Sequence, residues 1–189
     1  ESRVDALKSA GAEPSLTFIR VGDDPASRVY VGMKERTAAK LGIRSETTVL
    51  PVDTPEADLL DRLGKLNADP NVHGILVQAP LPSHIDETKI FSTVSPAKDV
   101  DGFHPVNVGK LMLAEGGGFV PCTPDGVHEL LIRSGVTIEG AEVVILGRGN
   151  IVGKPMAAIL CQKNKHANAT VTLCHSRSRD VAEHCRRAD

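Results

Sequence analysis

The hydrophobic and polar positions of the chain alternate between short apolar runs and longer amphipathic stretches. Runs at 15–21, 43–50 and 72–77 predict β-strands, the first of which ends at a Gly-Asp-Asp-Pro turn. The stretches 26–41 and 54–67 between them predict helices. Strands that alternate with helices are typical of a parallel sheet with helical crossovers. The sequence therefore predicts an α/β fold.

Residue types at the ends of the two predicted helices mark where each begins or ends. Thr54, Pro55 and Glu56 combine a hydroxyl cap, a proline at the first helical position and an acid in the first turn. Gly42 is a common residue just after a last helical turn. Within 26–41, apolar or small residues predict a buried stripe, formed by Val29, Met33, Ala38, Ala39 and Leu41.

The second half of the chain repeats the alternation. Short helices are predicted at 86–94 and 106–114, and then at 125–134, 151–163 and from 179 onward. Strands are predicted at 142–146 and 169–174. The run Glu115-Gly116-Gly117-Gly118 is the best interdomain linker, so we predict two domains at 1–115 and 119–189.

The second predicted domain has few strands for a sheet of its type. Two parallel strands with three helices cannot cover both faces of a sheet, and such sheets usually have several more strands. We therefore expect a truncated sequence. If the protein really ended at Asp189, an apolar sheet edge would stay open.

Composition and charge narrow the kind of protein. The 189 residues carry a net charge of −2, with acidic and basic residues interspersed, and include a single tyrosine and no tryptophan. The sequence has no cluster of basic residues typical of nucleic-acid binding, no apolar run of membrane-spanning length and no N-terminal signal pattern. A soluble, cytoplasmic protein without nucleic-acid or membrane partners is expected.

The four cysteines, Cys122, Cys161, Cys174 and Cys185, are not spaced as Cys-x-x-Cys pairs. Four buried thiols are expected rather than two disulfides or a zinc site. Cys174-His175 is not expected to act as a nucleophile pair, because neighbouring residues on a strand point to opposite faces.

Six motifs together resemble one enzyme family. They are RVYVGMKERTAAKLGI (28–43), VQAPLP (77–82), KDVDGFHPVNVGKL (98–111), PCTPDGV (121–127), GRGNIVGKPM (147–156) and ATVTLCHSRS (169–178). The chain resembles the bifunctional methylenetetrahydrofolate dehydrogenase/cyclohydrolases over nearly its whole length. The resemblance implies a folate-binding catalytic domain followed by a Rossmann-like NADP-binding domain. It also implies that the protein is an enzyme of one-carbon metabolism. It also implies a helix before Glu1, and further strands and a final helix after Asp189.

Lys34 and Tyr30 lie four residues apart, so on a helix the amine and the ring share one face. A solvated lysine and a half-buried core tyrosine are the ordinary interpretations of such residues. The resemblance instead makes Lys34 the essential catalytic group and stacks Tyr30 on the ring system of the substrate. A neutral amine suits this chemistry, because it can carry protons beside a cationic one-carbon intermediate.

Gln78 directly follows the third predicted strand, at the edge where open parallel sheets bind ligands. A simple strand-end hydrogen bond is the alternative. The resemblance implies that Gln78 hydrogen-bonds Lys34, that Asp101 binds the amino-pyrimidine edge of the pterin, and that Ser27 and Pro80 line the pocket. Asp101 could otherwise cap loop amides, and Ser27 could be an ordinary helix-start residue. Ala79 replaces the leucine usual in the family.

A glycine-rich turn between a strand and a helix predicts a phosphate site, because backbone amides and a positive helix end face it. Alone the turn is a weak indication, since its third glycine is displaced by one position from G-x-G-x-x-G. The family commonly has serine where this chain has Gly149. The predicted cofactor residues in this turn are Gly147, Arg148, Gly149, Asn150 and Ile151.

The end of the last predicted strand bears on the choice between NADP and NAD. The strand end at 174–178 contains no acid that could hold the ribose hydroxyls of NAD. Arg148, Ser176 and Arg177 are better partners for a 2′-phosphate, so NADP is the predicted cofactor.

The leading hypothesis is an NADP-dependent dehydrogenase of 5,10-methylenetetrahydrofolate that also hydrolyses the methenyl product to 10-formyltetrahydrofolate. The alternative within the family is a monofunctional methenyltetrahydrofolate cyclohydrolase, to which the Gly149 departure points. A folate- or nucleotide-binding module without turnover is the non-enzymatic alternative, disfavoured because Tyr30, Lys34, Gln78 and Asp101 are all present. The resemblance also implies a homodimer formed through the nucleotide domains.

Overall fold

The computed structural model of the chain describes residues 2–189, so the start of the predicted domain 1–115 at Glu1 lies outside the described residues. The chain divides into two compact units, with the boundary between Val100 and Asp101. Both are α/β units with parallel strands, which confirms the predicted fold class.

The first unit alternates helices with strands, as predicted. Its elements are α1 (Ser2–Ser9), β1 (Ser15–Val21), α2 (Pro25–Lys40), β2 (Arg44–Leu50), α3 (Glu56–Ala68), β3 (Gly74–Val77) and α4 (Glu87–Thr93). The strands form a parallel sheet in the order β2-β1-β3. Ile19 on β1 pairs with Val77 on β3, so the carboxyl ends of these two strands lie side by side.

Helices cover both faces of this sheet. Phe18 and Ile19 are adjacent on β1 and therefore point to opposite faces. Phe18 packs with Val31 of α2, whereas Ile19 belongs to a larger cluster that includes Leu59 and Leu63 of α3. Full burial of each such side chain stabilises the fold by about 1.5–3 kcal/mol relative to exposure.

The buried face of α2 differs from the predicted stripe. The buried positions are Ser27, Val31 and Ala38, while Val29 and Met33 are 58% and 42% exposed. Ala38 is buried as predicted, but the predicted burial of Val29 and Met33 was wrong. Val31 packs with Phe18 of β1, and residues two positions away lie on the opposite side of a helix.

The start of α3 also differs from the prediction. Pro55 occupies the cap position without a side-chain cap bond, and α3 begins at Glu56. The predicted hydroxyl cap was wrong, since Thr54 Oγ1 donates to Pro51 O at 2.6 Å in the preceding turn.

The second unit contains α5 (Pro105–Met112), α6 (Cys122–Arg133), β4 (Glu142–Leu146), α7 (Gly153–Leu160), β5 (Thr170–Cys174) and α8 (Val181–Arg186). Strands β4 and β5 pair in parallel, from Glu142 with Thr170 to Leu146 with Cys174. The predicted strands are confirmed, and α7 is shorter at both ends than the predicted helix 151–163.

Helix α5 belongs by its contacts to the second unit. Leu111 of α5 clusters with Ala158 and Ile159 of α7, and Gln162 Nε2 donates to Leu111 O at 2.9 Å. The glycine run 116–118 therefore lies inside this unit, and the division at Val100 precedes the predicted linker. Glycine content alone could not reveal that α5 packs on α7.

Cysteine burial corrects one further expectation. Cys174 is buried, but Cys122, Cys161 and Cys185 are exposed. Cys122 is the first residue of α6, and Cys161 directly follows the last residue of α7. Within residues 2–189, no set of three or more His, Cys, Asp or Glu side chains could hold a metal ion. None of the helices in that range is both long and apolar enough to cross a membrane.

Candidate functional site

The turn that starts α2 is held by two neighbouring carboxylates. Arg20 Nη1 donates to Asp23 Oδ1 at 2.7 Å, and the Ser27 backbone N–H donates to Asp24 Oδ2 at 2.7 Å. The Arg20 hydrogen bond, followed by the charge of Arg28, lowers the pKa of Asp23 below its ordinary value. The Ser27 N–H, followed by the Ser27 hydroxyl, likewise lowers the pKa of Asp24. Ser27 is thus fixed at the buried start of the helix.

Lys34 and Tyr30 lie one turn apart on α2, as the sequence predicts. Lys34 is half-buried, and its Nζ donates to Gln78 Oε1 at 3.2 Å. Tyr30 is 54% exposed, so the half-buried core interpretation of this ring is wrong. An accessible ring therefore neighbours an amine that is already oriented by a hydrogen bond.

Gln78 follows β3 directly and is held by its own backbone and amide. Its backbone N–H donates to Ile19 O at 2.8 Å, which extends the pairing of β1 with β3 by one position. Its Nε2 donates to Ala79 O at 2.7 Å, which turns Oε1 toward Lys34. The structure thus brings together two predicted site residues at the carboxyl edge of the sheet.

The loop after Gln78 contains a cis peptide bond between Ala79 and Pro80, and Pro80 is exposed beside Gln78. The Leu81 backbone N–H donates to Glu87 Oε1 at 2.8 Å. The Asp86 backbone N–H donates to Glu56 Oε2 at 2.8 Å, and this bond is the main reason that the pKa of Glu56 lies below its ordinary value.

The bonds from these two glutamates to the loop could not be predicted, because a side chain that accepts from a loop amide leaves no periodic pattern in the sequence. Glu87 begins α4 and Glu56 begins α3, where acids are common for general reasons.

Asp101 is the first residue of the second unit and is described with that unit. It is half-buried and precedes Gly102, whose φ is +69°. A Cβ on Gly102 would lie 2.8 Å from both Phe119 O and Pro121 N, so this position requires glycine. The tight approach fixes the backbone immediately after the Asp101 carboxylate.

The glycine-rich turn connects β4 with α7. The Gly147 backbone N–H donates to Cys174 O at 2.8 Å, and its φ is +126°. A Cβ on Gly153 would lie 2.0 Å from Gly147 O, so the start of α7 touches the end of β4. Lys154 Nζ donates to Asn150 Oδ1 at 2.7 Å, within the same turn.

A cavity of about 290 Å³ lies at the carboxyl ends of β4 and β5. It is lined by Leu146, Gly147, Cys174, His175, Ser176 and Val181. Two predicted cofactor residues, Gly147 and Ser176, thus share one cavity. Arg148, Gly149, Asn150, Ile151 and Arg177 are exposed in the adjoining turns and are not among its lining residues.

The loop after β5 is held locally. The His175 backbone N–H donates to Ser178 Oγ at 2.9 Å, and the Arg177 backbone N–H donates to His175 Nδ1 at 3.1 Å. These bonds occupy backbone groups and the His175 ring, and they fix the backbone from which the Ser176 and Arg177 side chains extend.

The two units define a class of protein. The first unit places the Lys34 amine and the Gln78 amide, here called the amine–amide pair, at the carboxyl edge of a parallel sheet. The second unit places a glycine-rich turn and a cavity at the carboxyl edge of its own strands. Open parallel sheets bind ligands at this edge. The chain is therefore an α/β protein in which each unit presents the carboxyl edge of a parallel sheet.

Comparison with known families identifies both units. Residues 1–101 match the family profile "Tetrahydrofolate dehydrogenase/cyclohydrolase, catalytic domain", and residues 121–189 match "Tetrahydrofolate dehydrogenase/cyclohydrolase, NAD(P)-binding domain". The chain belongs to the tetrahydrofolate dehydrogenase/cyclohydrolase family, which confirms the resemblance predicted from the motifs.

Individual relatives agree with this membership. A "Bifunctional protein FolD" of Syntrophus aciditrophicus (strain SB) is 58% identical over 183 residues, which cover 97% of this chain and 62% of that protein. The chain thus spans less than two thirds of the length of this curated relative.

Solved structures show the same fold. The bifunctional FolD of Campylobacter jejuni is 45% identical with a TM-score of 0.94, over 100% of this chain and 65% of that one. The Trypanosoma brucei methylenetetrahydrofolate dehydrogenase-cyclohydrolase, solved with NADP cofactor and inhibitor, is 39% identical with a TM-score of 0.91. The similarity covers 100% of this chain and 64% of the T. brucei chain.

Proposed function

We propose that the full-length protein oxidises 5,10-methylenetetrahydrofolate to 5,10-methenyltetrahydrofolate with NADP, and then hydrolyses the methenyl product to 10-formyltetrahydrofolate. The observation that carries this proposal is the 3.2 Å hydrogen bond from Lys34 Nζ to Gln78 Oε1. The family membership of both units supports the same two steps.

Lys34 is the proposed proton carrier of the hydrolytic step. Loss of hydride from the one-carbon bridge leaves a cation delocalised over two nitrogens, and water then attacks the bridging carbon. The Lys34 amine accepts a proton from the attacking water. It then delivers that proton to the ring nitrogen as the bond from that nitrogen to carbon breaks, and the remaining hydroxyl proton is lost to solvent as the formyl C=O forms. The Gln78 amide oxygen keeps the amine in place for both transfers.

Tyr30, Ser27, Pro80 and Asp101 are the proposed substrate-binding residues. The exposed ring of Tyr30 is available for stacking on the pterin, next to Lys34 on the same helix. Pro80 is exposed beside Gln78 and provides a rigid wall. The Asp101 carboxylate suits the adjacent N–H donors of the amino-pyrimidine edge.

The glycine-rich turn fits a dinucleotide phosphate. A Cβ at Gly147 or Gly149 would meet no atom within 4 Å, which leaves open space above the turn. Gly147, Arg148, Gly149, Asn150 and Ile151 would hold the pyrophosphate, and Ser176 and Arg177, with Arg148, would face the 2′-phosphate. When bound, NADP supplies a hydride acceptor.

We further propose that the full-length protein is a cytoplasmic homodimer formed through its nucleotide-binding units. The support for this state is the family resemblance, and a mass measured in solution by light scattering tests it. A monomeric mass at working concentrations would contradict it.

The experiment that tests the proposed function follows the absorbance of the methenyl intermediate in the full-length protein. Methylenetetrahydrofolate is supplied with NADP or with NAD, and methenyltetrahydrofolate is supplied separately. Both steps are expected, with NADP preferred. Hydrolysis without hydride transfer would indicate a monofunctional cyclohydrolase. Binding of both ligands without turnover would indicate a binding module.

A further inference from the structure

The loop that carries Gln78 and Pro80 is anchored at two separate places. At its far end, His84 Nε2 lies 2.9 Å from Thr54 O, and the Asp86 N–H donates to Glu56. Ile85 is buried in the core of the first unit. These contacts hold residues 84–86 against Thr54 and Glu56, at the start of α3. Residues 84–86 are six or more positions after Gln78 in the chain, so these contacts do not hold the backbone next to Gln78.

At the near end of the loop, a side chain of α4 holds the backbone at Leu81. The Leu81 N–H donates to Glu87 Oε1 at 2.8 Å, and the Leu81 side chain packs against the core. Glu87 is half-buried at the start of α4, and the Asp86 cap on the amides of Thr88 and Lys89 holds that start in place. A fixed carboxylate therefore sets the position of the Leu81 amide.

The Leu81 amide lies two residues after the carbonyl that orients the Gln78 side chain. The amide of Gln78 is oriented by its bond from Nε2 to Ala79 O, and Ala79 is two residues before Leu81. A shift of the backbone between these residues would rotate the Ala79 carbonyl. The Gln78 amide would follow, and Oε1 would move away from Lys34 Nζ.

We propose that Glu87 is a positioning residue for the hydrolytic step: by accepting the Leu81 N–H, it holds the 78–81 backbone so that Gln78 presents its oxygen to Lys34. This inference rests on the proposed function of the Lys34–Gln78 pair. Glu87 acts through the loop and does not itself touch the reacting atoms.

Two substitutions separate the hydrogen bond from the charge. Glu87→Ala removes the acceptor, and Glu87→Gln keeps a carbonyl oxygen there. Asp58→Ala is the matched control, because Asp58 is an exposed acid in the first turn of α3 just as Glu87 is an acid in the first turn of α4. None of these substitutions removes the packing of the Leu81 side chain against the core, so the fold is expected to persist.

The first measurement needs no substrate. Hydrogen–deuterium exchange at the Leu81 amide of the full-length protein should be slow in the wild type, in Glu87→Gln and in Asp58→Ala, and faster in Glu87→Ala. Unchanged exchange in Glu87→Ala would overturn the anchoring role.

The second measurement separates kcat from KM for methenyltetrahydrofolate hydrolysis. Small misplacements of catalytic groups can cost up to roughly a hundredfold, so Glu87→Ala should lower kcat by about ten- to a hundredfold with little change in KM. Glu87→Gln should stay within about threefold of the wild type. A wild-type kcat in Glu87→Ala, or a loss that Glu87→Gln fails to rescue, would overturn the proposal. An inactive wild type would instead refute the proposed function, whatever the exchange data show.

Discussion

Lys34 and Gln78 are 44 positions apart in the chain, yet their side chains meet at 3.2 Å. Two long-range features bring them together. The pairing of Ile19 with Val77 places Gln78 at the end of β3, and the packing of Val31 on Phe18 fixes the helix that carries Lys34. The contact therefore depends on the sheet and on helix packing, so it reports whether the whole first unit is correctly assembled.

Lys34→Met is expected to abolish methenyltetrahydrofolate hydrolysis while NADP binding and the fold remain near normal. The apolar stem persists, but the proton carrier is lost, and removal of such a group costs on the order of a hundred- to ten-thousandfold. Hydrolysis rates of the full-length variant check this, with Lys40→Met, an exposed lysine of the same helix, as the control. Activity within a few-fold of the wild type would refute the role of Lys34.

Asp101→Asn is expected to weaken folate binding far more than NADP binding. One carboxylate oxygen becomes a donor that faces donors on the pterin, and losing a charge-assisted contact costs about 1.5–3 kcal/mol. Titration calorimetry with each ligand measures the two affinities, and Asp125→Asn, an exposed acid of the second unit, is the control. Equal losses for both ligands would contradict the assignment.

The sequence predicted the elements that carry the Lys34–Gln78 pair because they depend on local patterns. An apolar run ending in glutamine and a helix with an amine one turn after a ring are both visible in the order of residues. The contact between the two side chains was predicted only through the family resemblance. Sheet register and helix packing depend on residues that are far apart in the chain, so local sequence patterns do not predict them.

Other parts of the site depended on contacts that leave no pattern. Ser27 is buried at the start of α2, although its residue type indicates exposure. Glu87 accepts a loop amide, and Gly153 touches Gly147, through tertiary approach alone. The glycine run 116–118 indicated a linker, but the packing of α5 on α7 placed it inside the second unit.

The contribution of Asp24 to stability is expected to depend on pH. Its pKa is lowered in the fold, first by the Ser27 backbone N–H, so its stabilising effect is fully present above the unfolded-state value near 3.8. The effect is lost as pH falls through the lower folded-state pKa. Asp24→Asn keeps a capping side chain but removes the charge.

Unfolding by denaturant at a series of pH values tests this expectation for Asp24. The difference in stability between the wild type and Asp24→Asn should be constant above about pH 5 and shrink below about pH 4. Asp58→Asn, which removes an exposed acid of α3, is the control. A difference that stays constant down to pH 2 would show that the capping charge adds nothing.

Replacing Arg148 and Arg177 with glutamine is expected to reduce the preference for NADP over NAD. Only NADP carries the 2′-phosphate, and each charge-assisted contact is worth about 1.5–3 kcal/mol, so the preference should fall about tenfold or more for each arginine. Steady-state kinetics with both cofactors measures the ratio, with Lys163→Gln, an exposed cation of the same unit, as the control. Equal use of both cofactors by the wild type would contradict the NADP prediction.

Gly153→Ala is expected to distort the glycine-rich turn, whereas Gly149→Ala should leave the fold and its Tm unchanged. A Cβ at position 153 would lie 2.0 Å from Gly147 O and 2.7 Å from Gly147 C, and neither backbone atom can rotate away as a side chain would. At position 149 no atom lies within 4 Å of the added carbon. Overpacking of this kind typically costs about 1–3 kcal/mol, so Gly153→Ala should lower Tm and weaken NADP binding together. Thermal unfolding and calorimetry of both variants check this, and an unchanged Tm in Gly153→Ala would mean that α7 and β4 do not pack this closely in the folded protein.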